Sequence, residues 1–115
     1  ESQPMYITEG PFDSMFIPNC IAAGGADLPL SLIRKMDIFI FDNERRNVEI
    51  VNKMNNIISA GYNIFIWPGS VDSKDINDWV LSGCSVTEIL ETIKENTYSG
   101  NEVKFRLMMW KNGER

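Results

Sequence analysis

A chain of 115 residues with 43% hydrophobic and 23% charged content has the length and composition of one folded domain with a modest core. Its net charge of −5 argues against a self-sufficient nucleic-acid binder, which ordinarily leaves a basic footprint, although a cluster of metal-binding acids lowers the charge in the same way. Two cysteines and no histidine leave no plausible zinc site and no imidazole for catalysis.

Taken in order, Met5 to Thr8 is a short apolar run ending in Glu9-Gly10 and reads as a first strand closed by a tight turn. Pro11-Phe12-Asp13-Ser14 opens a short helix through Ile17 that Pro18 stops. Cys20 to Ala23 is a second strand candidate, followed by Gly24-Gly25, and Asp27 is placed to cap a helix carrying Leu28, Leu30, Leu32 and Ile33. Cys20 and Cys84 sit in apolar sequence surroundings and read as reduced, structural thiols of a cytoplasmic protein.

Asp37-Ile38-Phe39-Ile40-Phe41 organises the rest. Its unbroken apolar run predicts a strand buried on both faces, hence central in a parallel sheet. Over residues 46–60, Val48, Ile50, Val51, Met54, Ile57 and Ile58 recur at helical spacing with Gly61 as the stop. Ile64 to Trp67 predicts another buried strand, ended by Pro68-Gly69, and a short helix over about residues 75–81 follows an acid-rich loop. Ser85-Val86-Thr87-Glu88 is a capping box with Val86, Ile89, Leu90 and Ile93 as its stripe. Finally Val103, Phe105, Leu107 and Met109 alternate with Lys104, Arg106 and Met108, which predicts a last strand. The order β-α-β-α-β-α-β-α-α-β describes a single α/β domain with a mainly parallel four-stranded core sheet and helices on both faces.

Three predicted strands finish on acids: Glu9 with Asp13 beyond it, Asp42 with Glu44, and the Asp75/Asp78 segment. In open α/β sheets, chemistry gathers beyond the carboxyl ends of the strands. Two carboxylates a few ångströms apart repel by about 4 kcal/mol at an effective dielectric of 20, which the chain bears if a proton, an Arg or Lys, or a metal ion sits between them; with several acids converging, a hard divalent cation is the expectation. Oxygen-only ligands suit Mg²⁺ or Mn²⁺. Singly, each acid also reads as a helix cap or solvated loop residue. Arg45, Arg46 and Lys74 read either as phosphate-holding groups or as solvated basic residues.

These segments carry a resemblance. Tyr6-Ile7-Thr8-Glu9-Gly10-Pro11-Phe12-Asp13-Ser14 resembles the first motif of Toprim domains, a hydrophobic strand with Glu-Gly, two residues and Asp. Phe39-Ile40-Phe41-Asp42-Asn43-Glu44 resembles their second motif, Asp-x-Asp, with Glu in the last place; Lys74-Asp75-Ile76-Asn77-Asp78-Trp79 is similar to the third acidic segment of the primase branch. The combination looks most like the Toprim domain of bacteriophage-type DNA primases. It covers about residues 5–83 of a single domain 1–115, leaving 84–115 as a C-terminal helix-strand extension. The Ala-Gly common after the second motif is replaced by Arg45-Arg46.

The resemblance implies a Toprim fold and a nucleotidyltransferase core that depends on Mg²⁺ (or Mn²⁺). Glu9, Asp42 and Glu44 would be the catalytic acids, and Glu9, Asp13, Asp42, Glu44, Asp75 and Asp78 the metal basin. Arg45, Arg46 and Lys74 would meet nucleotide or DNA phosphate. The partners implied are a single-stranded DNA template, ribonucleoside triphosphates and, through other parts of a longer parent chain, a replicative helicase. The compartment implied is the bacterial host cytoplasm, with no membrane. A Toprim nuclease and a non-catalytic Toprim module that binds nucleic acid or partners are the alternatives.

Overall fold

The computed structural model describes residues 4–8, 19–22 and 33–113. Their elements in chain order are β1 (Tyr6–Thr8), β2 (Cys20–Ala22), β3 (Ile38–Ile40), α1 (Val48–Ser59), β4 (Asn63–Phe65), α2 (Ile76–Leu81), α3 (Val86–Glu95), β5 (Thr97–Tyr98) and α4 (Gly100–Lys111). The helices expected over 11–17 and from Asp27 lie outside the described residues, as do Glu9 and Asp13.

The five strands form one sheet in the order β2-β1-β3-β4-β5. The first four are parallel and β5 pairs antiparallel with β4. The sheet is thus mainly parallel, as expected, with a fifth strand added at one edge. Ile38, Phe39, Ile40 and Phe41 are all buried, and β3 is the middle strand, the place its unbroken apolar run demands.

Helix α1 follows from its own chemistry. Asn47 caps it by accepting from the N–H groups of Glu49 (3.0 Å) and Ile50 (3.3 Å), which satisfies two of the helix's orphan donors. Ile50, Val51, Met54 and Ile58 form its buried stripe. At its far end Gly61 adopts φ 87°, the left-handed conformation that favours glycine. Lys35 closes the same end, donating from Nζ to the Ala60 carbonyl at 2.8 Å and lying 4.4 Å from the centre of the Tyr62 ring. A cation at that position complements the helix dipole. The capping box of α3 forms as its sequence dictates: Glu88 N–H donates to Ser85 Oγ at 3.1 Å and Ser85 N–H to Glu88 Oε1 at 3.2 Å.

The strand expected over Val103–Met109 is a correction: those residues lie in helix α4. Val103, Leu107 and Trp110, at i, i+4 and i+7, are buried, whereas Phe105, Met108 and Met109 are exposed. Two apolar sets on opposite sides of one helix imitate strand alternation. The strand that does exist there is β5, immediately upstream.

Asp37 opens β3 and is fully buried. Its Oδ1 accepts from the Met5 N–H at 2.9 Å and from Arg34 Nη2 at 3.0 Å; its Oδ2 accepts from the Arg34 N–H at 2.9 Å. Burial alone would push this carboxyl up, but the hydrogen bonds from Met5 and Arg34 and the Arg34 charge outweigh it and hold the group below its ordinary value. The residue ties the start of β1 to the start of β3, at the sheet edge opposite the acidic loops.

Candidate functional site

Strand register fixes where the acids leave the sheet. Thr8 pairs with Ile40, and Ile40 with Phe65, so β1, β3 and β4 end side by side at one edge. Asp42 and Glu44 follow the end of β3, and the loop to α2 follows β4. Glu9, next after Thr8 in the chain, and Asp13 lie outside the described residues.

The second and third acidic segments are stitched together through Asn43. Its backbone N–H donates to the Lys74 carbonyl at 2.6 Å, and its side-chain amide donates to the carbonyls of Ser73 (3.0 Å) and Val71 (3.3 Å). Its side-chain oxygen accepts from Trp110 Nε1 at 2.8 Å. The residue between the two motif acids therefore fastens the turn after β3 to the loop after β4 and to α4. Trp67, just past β4, adds a buried bond from its Nε1 to the Phe41 carbonyl at 2.7 Å. Together these bonds satisfy backbone groups that a buried loop would otherwise leave orphaned.

Each predicted acid has a local setting. Asp42 and Glu44 are half-buried, and Glu44 Oε1 accepts from the Asn47 amide at 3.1 Å, which steadies the residue that caps α1. Asp75 is the N-cap of α2, accepting from the Asp78 N–H at 2.8 Å. Asp78 in turn accepts from the Lys74 N–H at 3.0 Å. This reciprocal pair resembles a capping box widened by one residue, and it commits one oxygen of each carboxylate to the backbone. Among the described residues, no three acidic, cysteine or histidine side chains converge on a common point.

The basic residues frame the acidic turn. Asn43, Glu44, Arg45, Arg46 and Asn47 line a shallow hollow of about 480 Å³. Both arginines also reach the turn just past α4: a Cβ built on Gly113 would lie 3.4 Å from Arg45 Cδ and 3.7 Å from Arg46 Nη2. Lys74 is exposed. Trp67 is not free to stack on a base, being packed with Phe65 and Trp79 at ring-centroid distances of 5.1 Å each and only 3% exposed.

Sequence reasoning missed Asn43 and Trp110. Asn43 stood only as the variable position between two motif acids, and Trp110 was beyond reach once its neighbours were read as a strand. Replacing Asn43 with Ala removes three side-chain hydrogen bonds and leaves the Trp110 N–H without its partner. A loss of about 2–3 kcal/mol is expected, with a shift in tryptophan emission. Unchanged urea unfolding would show that the turn is held by other means.

No helix among the described residues is long and apolar enough to cross a membrane, and no family model matches the sequence. The chain is 36% identical over 107 residues to the DNA primase of Enterobacteria phage T4, a match covering 90% of this chain and 31% of that protein. The chain thus spans about a third of the length of that relative. The chain is thus similar to one region of a phage DNA primase.

Proposed function

We propose that the chain is the Toprim-type catalytic domain of a phage-type DNA primase, a nucleotidyltransferase that builds short RNA primers on single-stranded DNA. The observation that supports this most directly is the hydrogen bond from Asn43 N–H to the Lys74 carbonyl. It sets the Asp42/Glu44 turn beside the Asp75 segment, at the edge where β1 also ends.

The donor set fits Mg²⁺ or Mn²⁺: carboxylate oxygens and no soft ligand. Asp42 and Glu44 would hold the metal, with Glu9 from the end of β1 completing the set and Asp13, Asp75 and Asp78 around it. Bound there, the metal would supply Lewis-acid stabilisation of phosphoryl charge. The chain's own residues do the positioning. Asn43 fixes the spacing of the two motif acids, Asn47 orients Glu44, and the Asp75–Asp78 pair holds the loop that faces them. Arg45, Arg46 and Lys74 add positive charge for triphosphate or template backbone. The main template-binding surface and contact with a replicative helicase would lie on other parts of the parent chain.

The reading is tested by incubating the parent protein with single-stranded DNA, labelled ribonucleoside triphosphates and Mg²⁺, with a parallel reaction on an end-labelled strand. Short RNA products that disappear on chelation are expected. Cleavage of the labelled strand instead would replace the primase reading with a nuclease. Neither product, with no effect of Mg²⁺ on the melting temperature, would leave a non-catalytic module.

A further inference from the structure

A second hollow lies beyond the acidic turn, between the end of β4, β5 and α4. It has a volume of about 140 Å³, and its walls include Arg45, Trp67, Asn96, Tyr98, Arg106 and Trp110. None of its lining residues is acidic, in a chain whose net charge is −5. Arg45 and Arg106 are the two charged residues among the walls of this small space, and positive charge there favours an anion.

Among the described residues, neither arginine is held by a buried carboxylate. Among the described residues no carboxylate forms an ion pair with Arg45. Arg106 pairs only with Glu102, at 3.5 Å and with both side chains well exposed, an arrangement worth little in water. Its guanidinium carbon lies 4.8 Å from the centre of the Tyr98 ring, which fixes the plane of the fork. The indole N–H groups of Trp67 and Trp110 are both committed inward, so these rings act as walls and the arginines carry the polar recognition. The hollow is well below the roughly 300–1,000 Å³ of sites that enclose a drug-sized ligand. It suits one tetrahedral anion and leaves any attached sugar and base outside.

We propose that this hollow is a phosphate subsite, in which Arg45 and Arg106 grip one phosphate group of a nucleic-acid strand or a nucleotide. Arg45 follows Glu44 directly, so a strand held here runs past the acidic turn. The identity of the ligand rests on the primase reading; the subsite does not need metal.

The test is therefore run in a chelating buffer on the 115-residue chain. Anisotropy of a labelled single-stranded oligonucleotide is followed over a range of salt, and ATP is added as competitor. Arg45→Ala/Arg106→Ala is compared with Lys53→Ala/Lys94→Ala, which removes the same charge outside the hollow. The first pair is expected to weaken oligonucleotide binding about tenfold and to lower the slope of log K against log salt by about 0.7, the value for one single-strand phosphate. The second pair should do neither. Competition by ATP that depends on the two arginines identifies a nucleotide as a source of the phosphate; its absence, with oligonucleotide binding still arginine-dependent, identifies the strand. Equal affinity of the two double variants, or no measurable binding of either ligand by the unaltered chain, overturns the subsite. Arginine-dependent binding by this chain, with a parent protein that makes no primers, would refute the primase reading and leave the subsite standing.

Discussion

Asp42→Asn in the parent protein is expected to reduce primer synthesis by about three orders of magnitude while leaving the fold intact. Metal-supplied charge stabilisation is worth several kcal/mol, and each 1.36 kcal/mol is tenfold in rate, so losing about 4 kcal/mol gives that factor. Asparagine keeps the size of the side chain but not the charge that would bind a cation. Because asparagine keeps the shape of the turn, the melting temperature without metal should change little. Glu91→Gln, on the exposed side of α3, removes a carboxylate away from the loops and should leave synthesis unchanged. Asp75→Asn is informative in a different way. Asparagine caps a helix as well as aspartate, so α2 should persist, and any fall in synthesis then reports a role for Asp75 beyond the cap. Priming by Asp42→Asn at close to the normal rate would remove Asp42 from the metal site.

The largest stability effect is expected from Asp37. Asp37→Ala deletes an acceptor of three hydrogen bonds and strands the N–H groups of Met5 and Arg34 in a buried place. Hydrogen bonds to charged groups contribute about 1.5–3 kcal/mol each, and breaking a buried charge arrangement costs about 3–5 kcal/mol. A loss of about 4 kcal/mol, or roughly 15 °C in melting temperature, follows. The pH dependence has a definite sign. The Asp37 carboxyl is held below its ordinary value, so its stabilisation is fully present above the unfolded value of about 3.9 and is lost as pH falls through the lowered folded value. The stability gap between the native chain and Asp37→Asn should be constant above about pH 5 and narrow in acid below pH 4. A gap that is flat down to pH 2 would show that the charge contributes nothing.

The parts of the fold that were legible in the sequence are those where one interaction dominates. The apolar run of β3 has no polar residue to expose, so it had to be central. The α1 stripe and the Ser85–Glu88 box each combine periodicity with a start signal. The α4 segment failed for the opposite reason: its helix begins at Ser99, which makes no side-chain cap bond, and its exposed Phe105, Met108 and Met109 blur the helical period. The acidic loops were legible as acids at strand ends, but not the division of labour within them. That Asp75 and Asp78 hold backbone N–H groups goes with a loop fastened to Asn43, which lies thirty-two positions before the Asp75 cap and meets it only in the folded chain. Asp37 was invisible because its partners, Met5 and Arg34, meet it only when β1 is laid beside β3.

The bond between Trp110 and Asn43 spans 67 positions, and that span has a consequence during synthesis. Chains emerge from the ribosome at about 5–20 residues per second, so roughly 3–13 s separate the appearance of Asn43 from that of its last anchor. Helices and hairpins form in microseconds, and β5 ends twelve residues before Trp110, so all five strands are out of the ribosome roughly 0.6–2.4 s before the last anchor of the turn bearing Asp42 and Glu44. The acidic turn is then the last part of the nascent domain to take its final shape. A chain released before residue 110 would keep its strands and the bonds of Asn43 to the 71–74 loop, and lack the anchor from α4.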